Sequence, residues 1–138
     1  MKKIYLVLLG LAVAAAVSAS AAPVVVTHPE LGSETIDGGT IKAVFRGKKV
    51  AWSNKTPVTV AILKGGTVHE EFLKTAFNIS ASAFSNHWRL TAMTGGGVAP
   101  KEFATEQELL QFVSSTPGAI GYVDEASAGE AVRKVAIN

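Results

Sequence analysis

The sequence predicts an α/β fold: a single lobe in which a mostly parallel sheet is flanked by helices. Two observations carry the strands. Val58 to Leu63 and Ala119 to Val123 are short, nearly continuous apolar runs, the pattern of strands covered on both faces. A third carries the helices, because the stretches between those runs repeat their apolar residues at helical spacing. Strands alternating with helices bury their apolar faces best as a layered α/β domain.

The first residues have the order of a secretory signal. Lys2 and Lys3 precede an apolar run from Ile4 to Val17, and Ala19-Ser20-Ala21 supplies small residues for cleavage. That run is 14 residues long, whereas a bilayer-spanning helix needs roughly 20. A removable leader over residues 1–21 is expected, with an uncleaved anchor as the alternative, followed by one domain over 22–138. Removing 21 of the 138 residues leaves 117, which has room for one domain only. The destination is the periplasm.

Charge then excludes one class of partner. The formal net charge of +2 depends on Lys2 and Lys3, and without them 11 basic groups face 11 acidic ones. A nucleic-acid binder wants a basic face, so no nucleic-acid partner is expected. The chain has no cysteine, which excludes disulfides, thiolate chemistry and cysteine-containing zinc sites.

Pro23 to Thr27 is a β-branched run and predicts the first strand. Glu30 to Gly39 is polar and glycine-bearing, hence loop or frayed helix. Ile41, Val44 and Phe45 predict a short helix stopped at Gly47, and Trp52 to Pro57 reads as a turn. After the strand Val58 to Leu63 comes Lys64-Gly65-Gly66-Thr67, then a helix with Val68, Phe72, Leu73 and Ala76 on one stripe. Thr67 and Glu70 match a capping box for its start. Ser80 opens a second helix that buries Ala81, Phe84 and Trp88. Thr94 to Gly97 is a turn into Pro100, and Thr105 with Glu108 caps a helix carrying Leu109, Phe112 and Val113. Val132 to Ile137 predicts a last strand or edge.

The turn Lys64-Gly65-Gly66-Thr67, at the carboxyl end of a strand and the amino end of a helix, is the strongest candidate site. Backbone N–H groups and the helix dipole there favour a phosphate-like anion, and glycines let it approach. The competing expectation is an ordinary cap, in which Thr67 and Glu70 occupy those donors. Val68 and His69 belong to the same first turn; His69 either lends positive charge to the anion, as Lys64 does from the loop, or is a surface histidine. Thr94 and Gly95 either bring further donors to the same mouth or form a hinge. Trp52 and Trp88 either stack on a ligand or pack in the core or its rim.

Catalysis and metals lack residues. His28, His69 and His87 are far apart in sequence, and no nucleophile elbow, phosphate-loop motif or paired-carboxylate site occurs. Glu70-Glu71 and Asp124-Glu125 are neighbours that point in different directions. No enzyme activity, cofactor or metal is expected.

Taken in order, several segments resemble the short phosphate-binding-protein-like family, relatives of the substrate-binding component of phosphate ABC transporters. They are Thr40 to Lys49 followed by Trp52, Gly65 to Leu73, Trp88, Thr94 to Lys101, and Thr116 to Val123. The resemblance covers roughly residues 24 to 137 and is most specific at Phe45-Arg46-Gly47-Lys48 and Pro117 to Val123. It implies a type II periplasmic-binding-protein-like lobe with an oxyanion near the amino end of the helix starting at Thr67. Full-length relatives place an arginine and a hydroxyl around the glycine turn; here Ile62 and Leu63 precede Lys64, and Thr67 is the one hydroxyl. The resemblance also implies work beside membrane transporter subunits, or a second copy of the chain to complete a half-open site. The expected function is an exported, non-enzymatic binder of phosphate or a similar oxyanion. The alternative is an interaction module that keeps the lobe and binds no ligand.

Overall fold

A computed structural model describes residues 22–95 and 98–137. The leader expected over 1–21 lies outside the described residues, as do Gly96 and Gly97. The elements are β1 (Pro23–Thr27), a 3-10 turn (Pro29–Leu31), α1 (Gly38–Phe45), β2 (Thr59–Leu63), α2 (Thr67–Phe77), α3 (Ala81–Met93), β3 (Lys101–Phe103), α4 (Glu106–Ser115), β4 (Ala119–Asp124) and β5 (Arg133–Val135).

One five-stranded sheet runs in the order β3-β2-β4-β1-β5. Strand β2 lies parallel to β3 and β4, while β1 is antiparallel to β4 and β5. The sheet is therefore mixed: the parallel expectation holds for the half containing β2, and β1 reverses the other half. Helices explain the division. A parallel neighbour needs a long crossover, which α2 with α3 supplies between β2 and β3, and α4 between β3 and β4. The inner strands β2 and β4 are buried almost throughout, as their unbroken apolar runs require.

The core is aromatic at its centre. Phe72 stacks on Tyr122 with ring centroids 3.9 Å apart and planes 6° from parallel, and Phe45 tilts against both at 5.0 and 6.0 Å. Phe77 and Phe84 extend the cluster toward α3. Both tryptophans are buried, each with its indole N–H satisfied: Trp52 donates to the Gly118 carbonyl and Trp88 to the Phe45 carbonyl, both at 2.9 Å. Trp52 thus ties the loop before β2 to the start of β4.

Local signals set the helix starts. Asp37 accepts from the Thr40 amide at 2.8 Å, and Ser80 and Thr105 accept from the Ala83 and Glu108 amides at 3.1 Å. The Asp37 cap begins α1 at the end of the stretch expected to be loop or frayed helix. Strand β3 also departs from expectation. Its three residues carry no apolar run, and it exists because Lys101, Glu102 and Phe103 pair with the free edge of β2. Among the described residues no helix is long and apolar enough to cross a membrane.

Candidate functional site

The site lies where β2 ends. Leu63 is the last residue of β2, and the Lys64 amide donates to the Phe103 carbonyl at 2.9 Å, so the chain leaves the sheet beside β3. Gly65 and Gly66 then turn it into α2. Gly66, not Thr67, is the N-cap: its φ is 99°, and its carbonyl accepts from the Glu70 amide at 3.0 Å. No side chain caps this helix. The capping box expected from Thr67 and Glu70 is not formed, because Thr67 is already the first helical residue and its hydroxyl stands outside the cap position. The amide groups of the first turn keep free valence, and the dipole there favours negative charge.

Beside this junction is a cavity of about 560 Å³. Leu63, Lys64 and His69 form one side of it, Ser82, Ser85, Trp88 and Arg89 of α3 another, and Glu102 of β3 closes a third. Ser82, Ser85 and Arg89 are three and four residues apart, so helical geometry stacks them on one face. The neighbouring positions Phe84 and Trp88 are buried and hold that face against the sheet. The Arg89 guanidinium is also oriented by the Asn86 side-chain oxygen. Two cations, two hydroxyls and one carboxylate thus meet on one concave surface. Such a set can bind an anion that also offers a proton to the carboxylate.

The cavity brings together two of the eight residues singled out in the sequence, Lys64 and His69. Gly65, Gly66, Thr67 and Val68 form the junction next to it without lining it. Thr94 and Gly95 are exposed at the far end of α3, where the Thr94 hydroxyl donates to the Thr91 carbonyl at 3.1 Å. Sequence reasoning missed Ser82, Ser85, Arg89 and Glu102. The spacing of the first three was visible, but a polar helix stripe reads as solvated surface until the opposing strand is placed.

His69 is neither of the things expected of it. It is only 5% exposed, so it is not a surface histidine. Burial lowers its pKa below the ordinary 6.5, and Glu70 and Glu102 only partly oppose this, so it does not supply positive charge near neutral pH. Its Nδ1 is hydrogen-bonded to the Tyr122 hydroxyl, which also accepts from the Leu63 amide at 3.0 Å. Burial and its surroundings push the Tyr122 pKa far up, so the phenol keeps its proton. Among the described residues no cluster of three or more histidines or carboxylates is placed to hold a metal ion.

The mixed sheet, the helix layers and the cavity at the end of β2 define a periplasmic-binding-protein-like lobe of the α/β class. Several solved structures share this fold. An ABC-type phosphate transport receptor from Vibrio cholerae superposes with a TM-score of 0.63 at 8% identity, covering 83% of this chain and 45% of the receptor. PstS from Borrelia burgdorferi gives 0.60 at 14% identity, with 86% and 47% covered. The likeness at these identities is one of fold, and the chain spans less than half the length of either protein. No protein-family model and no curated protein matches the sequence.

Proposed function

We propose that this protein is an exported solute-binding lobe that takes phosphate or a similar oxyanion into the cavity between β2 and α3. The observation that carries this is the meeting of Lys64 and Arg89 with the Ser82 and Ser85 hydroxyls on one concave surface. Charge-assisted hydrogen bonds from the two cations supply attraction, and the hydroxyls supply direction. The uncapped start of α2 adds the favourable end of a helix dipole nearby. Glu102 can only accept once ionised, so it favours a ligand oxygen that carries a proton. Phosphate carries one near neutral pH and sulfate does not. Export rests on the leader-like residues 1–21 and on the fold shared with transport receptors.

The cavity belongs to one lobe, so a bound anion stays in contact with water and is held weakly. Binding in the micromolar to millimolar range is expected, and a membrane transporter subunit or a second copy would be the partner that closes the site. Thermal unfolding in rising phosphate, sulfate and chloride tests the reading. A ligand that binds only the folded state at 100 times its Kd adds about 2.7 kcal/mol. Phosphate should raise the midpoint more than sulfate at equal ionic strength, and equal responses to all three salts would remove the reading.

A second reading, an interaction module without a ligand, is favoured by one observation. Leu90, Met93 and Val98 are 55%, 77% and 84% exposed around the end of α3. Large apolar side chains left exposed suit a protein contact.

A further inference from the structure

We infer that Tyr122 locks His69 as a neutral imidazole that presents an Nε2–H donor to the solute cavity. The ligand part of this inference rests on the oxyanion reading above; the tautomer does not.

Tyr122 is fully buried on β4, and its hydroxyl oxygen has two partners, the Leu63 amide and His69 Nδ1. The amide can only donate. The phenolic proton therefore has one acceptor in reach, the Nδ1 lone pair, and a proton on Nδ1 would leave it buried and unpaired. An imidazole whose Nδ1 accepts carries its hydrogen on Nε2. The chain from the Leu63 amide through the Tyr122 hydroxyl to His69 thus runs in one direction and ends at Nε2–H.

That atom opens to the cavity. His69 lines it, and Nε2 bonds no described residue. No fully buried side-chain nitrogen or oxygen among the described residues lacks a partner, so an unbonded Nε2 must be accessible. The ring is fixed by packing, 6.0 Å between centroids from Tyr122 and 6.2 Å from Phe84. Two carboxylates bear on its charge, Glu70 on its own helix and Glu102 on β3, and the cations Lys64 and Arg89 line the same cavity. The two carboxylates favour a second proton on the ring, while burial opposes it and prevails. A second proton would also have to enter the Nδ1 contact and displace the phenolic one. His69 is thereby a positioning donor for a ligand oxygen, and its bond does not depend on its becoming a cation.

Long-range proton–nitrogen correlation spectra of the labelled full chain at pH 7 test this. The expected result is a pyridine-type Nδ1 and a pyrrole-type Nε2, with the Nδ1–H form appearing in Tyr122→Phe. A doubly protonated ring, an Nδ1–H ring in the unaltered protein, or a tautomer unchanged in Tyr122→Phe would overturn it. On adding inorganic phosphate, the Nε2–H signals should shift along the binding curve measured by calorimetry. Binding without that shift overturns the donor role and leaves the oxyanion reading standing. A locked tautomer with no phosphate binding supports the lock and overturns the oxyanion reading.

Discussion

The Gly66 carbonyl accepts the Glu70 amide proton at 3.0 Å, so the helix beside the cavity starts from a glycine with φ of 99°. A Cβ at Gly66 would meet nothing within 4 Å, and the need for glycine is entirely one of backbone conformation. Gly66→Ala should lower stability by about 1–3 kcal/mol, the usual strain of a side chain held there. Gly65→Ala, also in open space and without a positive φ, should change it by less than about 1 kcal/mol. Urea unfolding of the two variants checks the difference, and equal losses would contradict the assigned start of α2.

The same start makes Thr67 dispensable as a cap. Thr67→Ala should cost under about 0.5 kcal/mol, whereas Ser80→Ala and Thr105→Ala should each cost about 1 kcal/mol by removing a bond to a first-turn amide. Denaturant midpoints at constant slope would separate them. A Thr67 loss as large as the other two would mean that the helix is capped one residue later.

Gly118 shows the opposite kind of glycine. Its φ is 83°, and a Cβ there would lie 2.2 Å from the Pro57 carbonyl oxygen, which is backbone and cannot swing away. Its own carbonyl accepts from the Trp52 indole. Gly118→Ala should therefore destabilise by more than about 3 kcal/mol and exceed Gly66→Ala, since it adds a steric clash to strain. Trp52→Phe should cost a further-separated, smaller amount of about 1–3 kcal/mol from the bond lost at the Gly118 carbonyl. Thermal unfolding that ranks Gly118→Ala as the milder of the two glycine variants would contradict this packing.

Acid should weaken the fold in two windows. Burial holds the His69 pKa below 6.5, with Glu70 and Glu102 opposing, so below pH 6.5 the unfolded chain binds a proton that the folded chain does not. Stability then falls as pH drops through that window. Glu34 and Asp37 have lowered pKa values, held down chiefly by hydrogen bonds from Ser53 and Thr40. Their contribution is intact above their ordinary values of 4.5 and 3.8 and is lost only as pH falls below these. His69→Gln should flatten the decline that begins below pH 6.5 and leave the lower one. Unfolding curves across pH that decline in parallel would show that His69 is not withheld from solvent protons.

Much of this fold is legible in the residues. Pro23–Thr27 occupies the strand that its β-branched run predicts, and Ser80 and Thr105 cap where their hydroxyls say they should. Strand β3 is not legible, because Lys101-Glu102-Phe103 becomes a strand only through the edge of β2 that it covers. Asp37 was hidden by the two glycines after it, which look like loop although they form the first turn of α1. Half of the cavity suffers from the same dependence on tertiary structure. Lys64 and His69 flank the glycine turn in sequence, whereas Ser82, Ser85 and Arg89 face them only once α3 is laid across the end of β2. Tyr122 is farther still, 53 residues from His69, and its hydrogen bond to Nδ1 could not be foreseen from either position.

The central claim is that the cavity between β2 and α3 binds an oxyanion through Lys64 and Arg89. Calorimetric titration of phosphate into the unaltered protein and into the Lys64→Ala/Arg89→Ala double variant tests it most directly, with Lys55→Ala as a control for overall charge. Saturable binding that weakens at least tenfold in the double variant, about 1.4 kcal/mol, and persists in the control is the predicted result. No saturable heat in the unaltered protein, or equal affinity in the double variant, would contradict it.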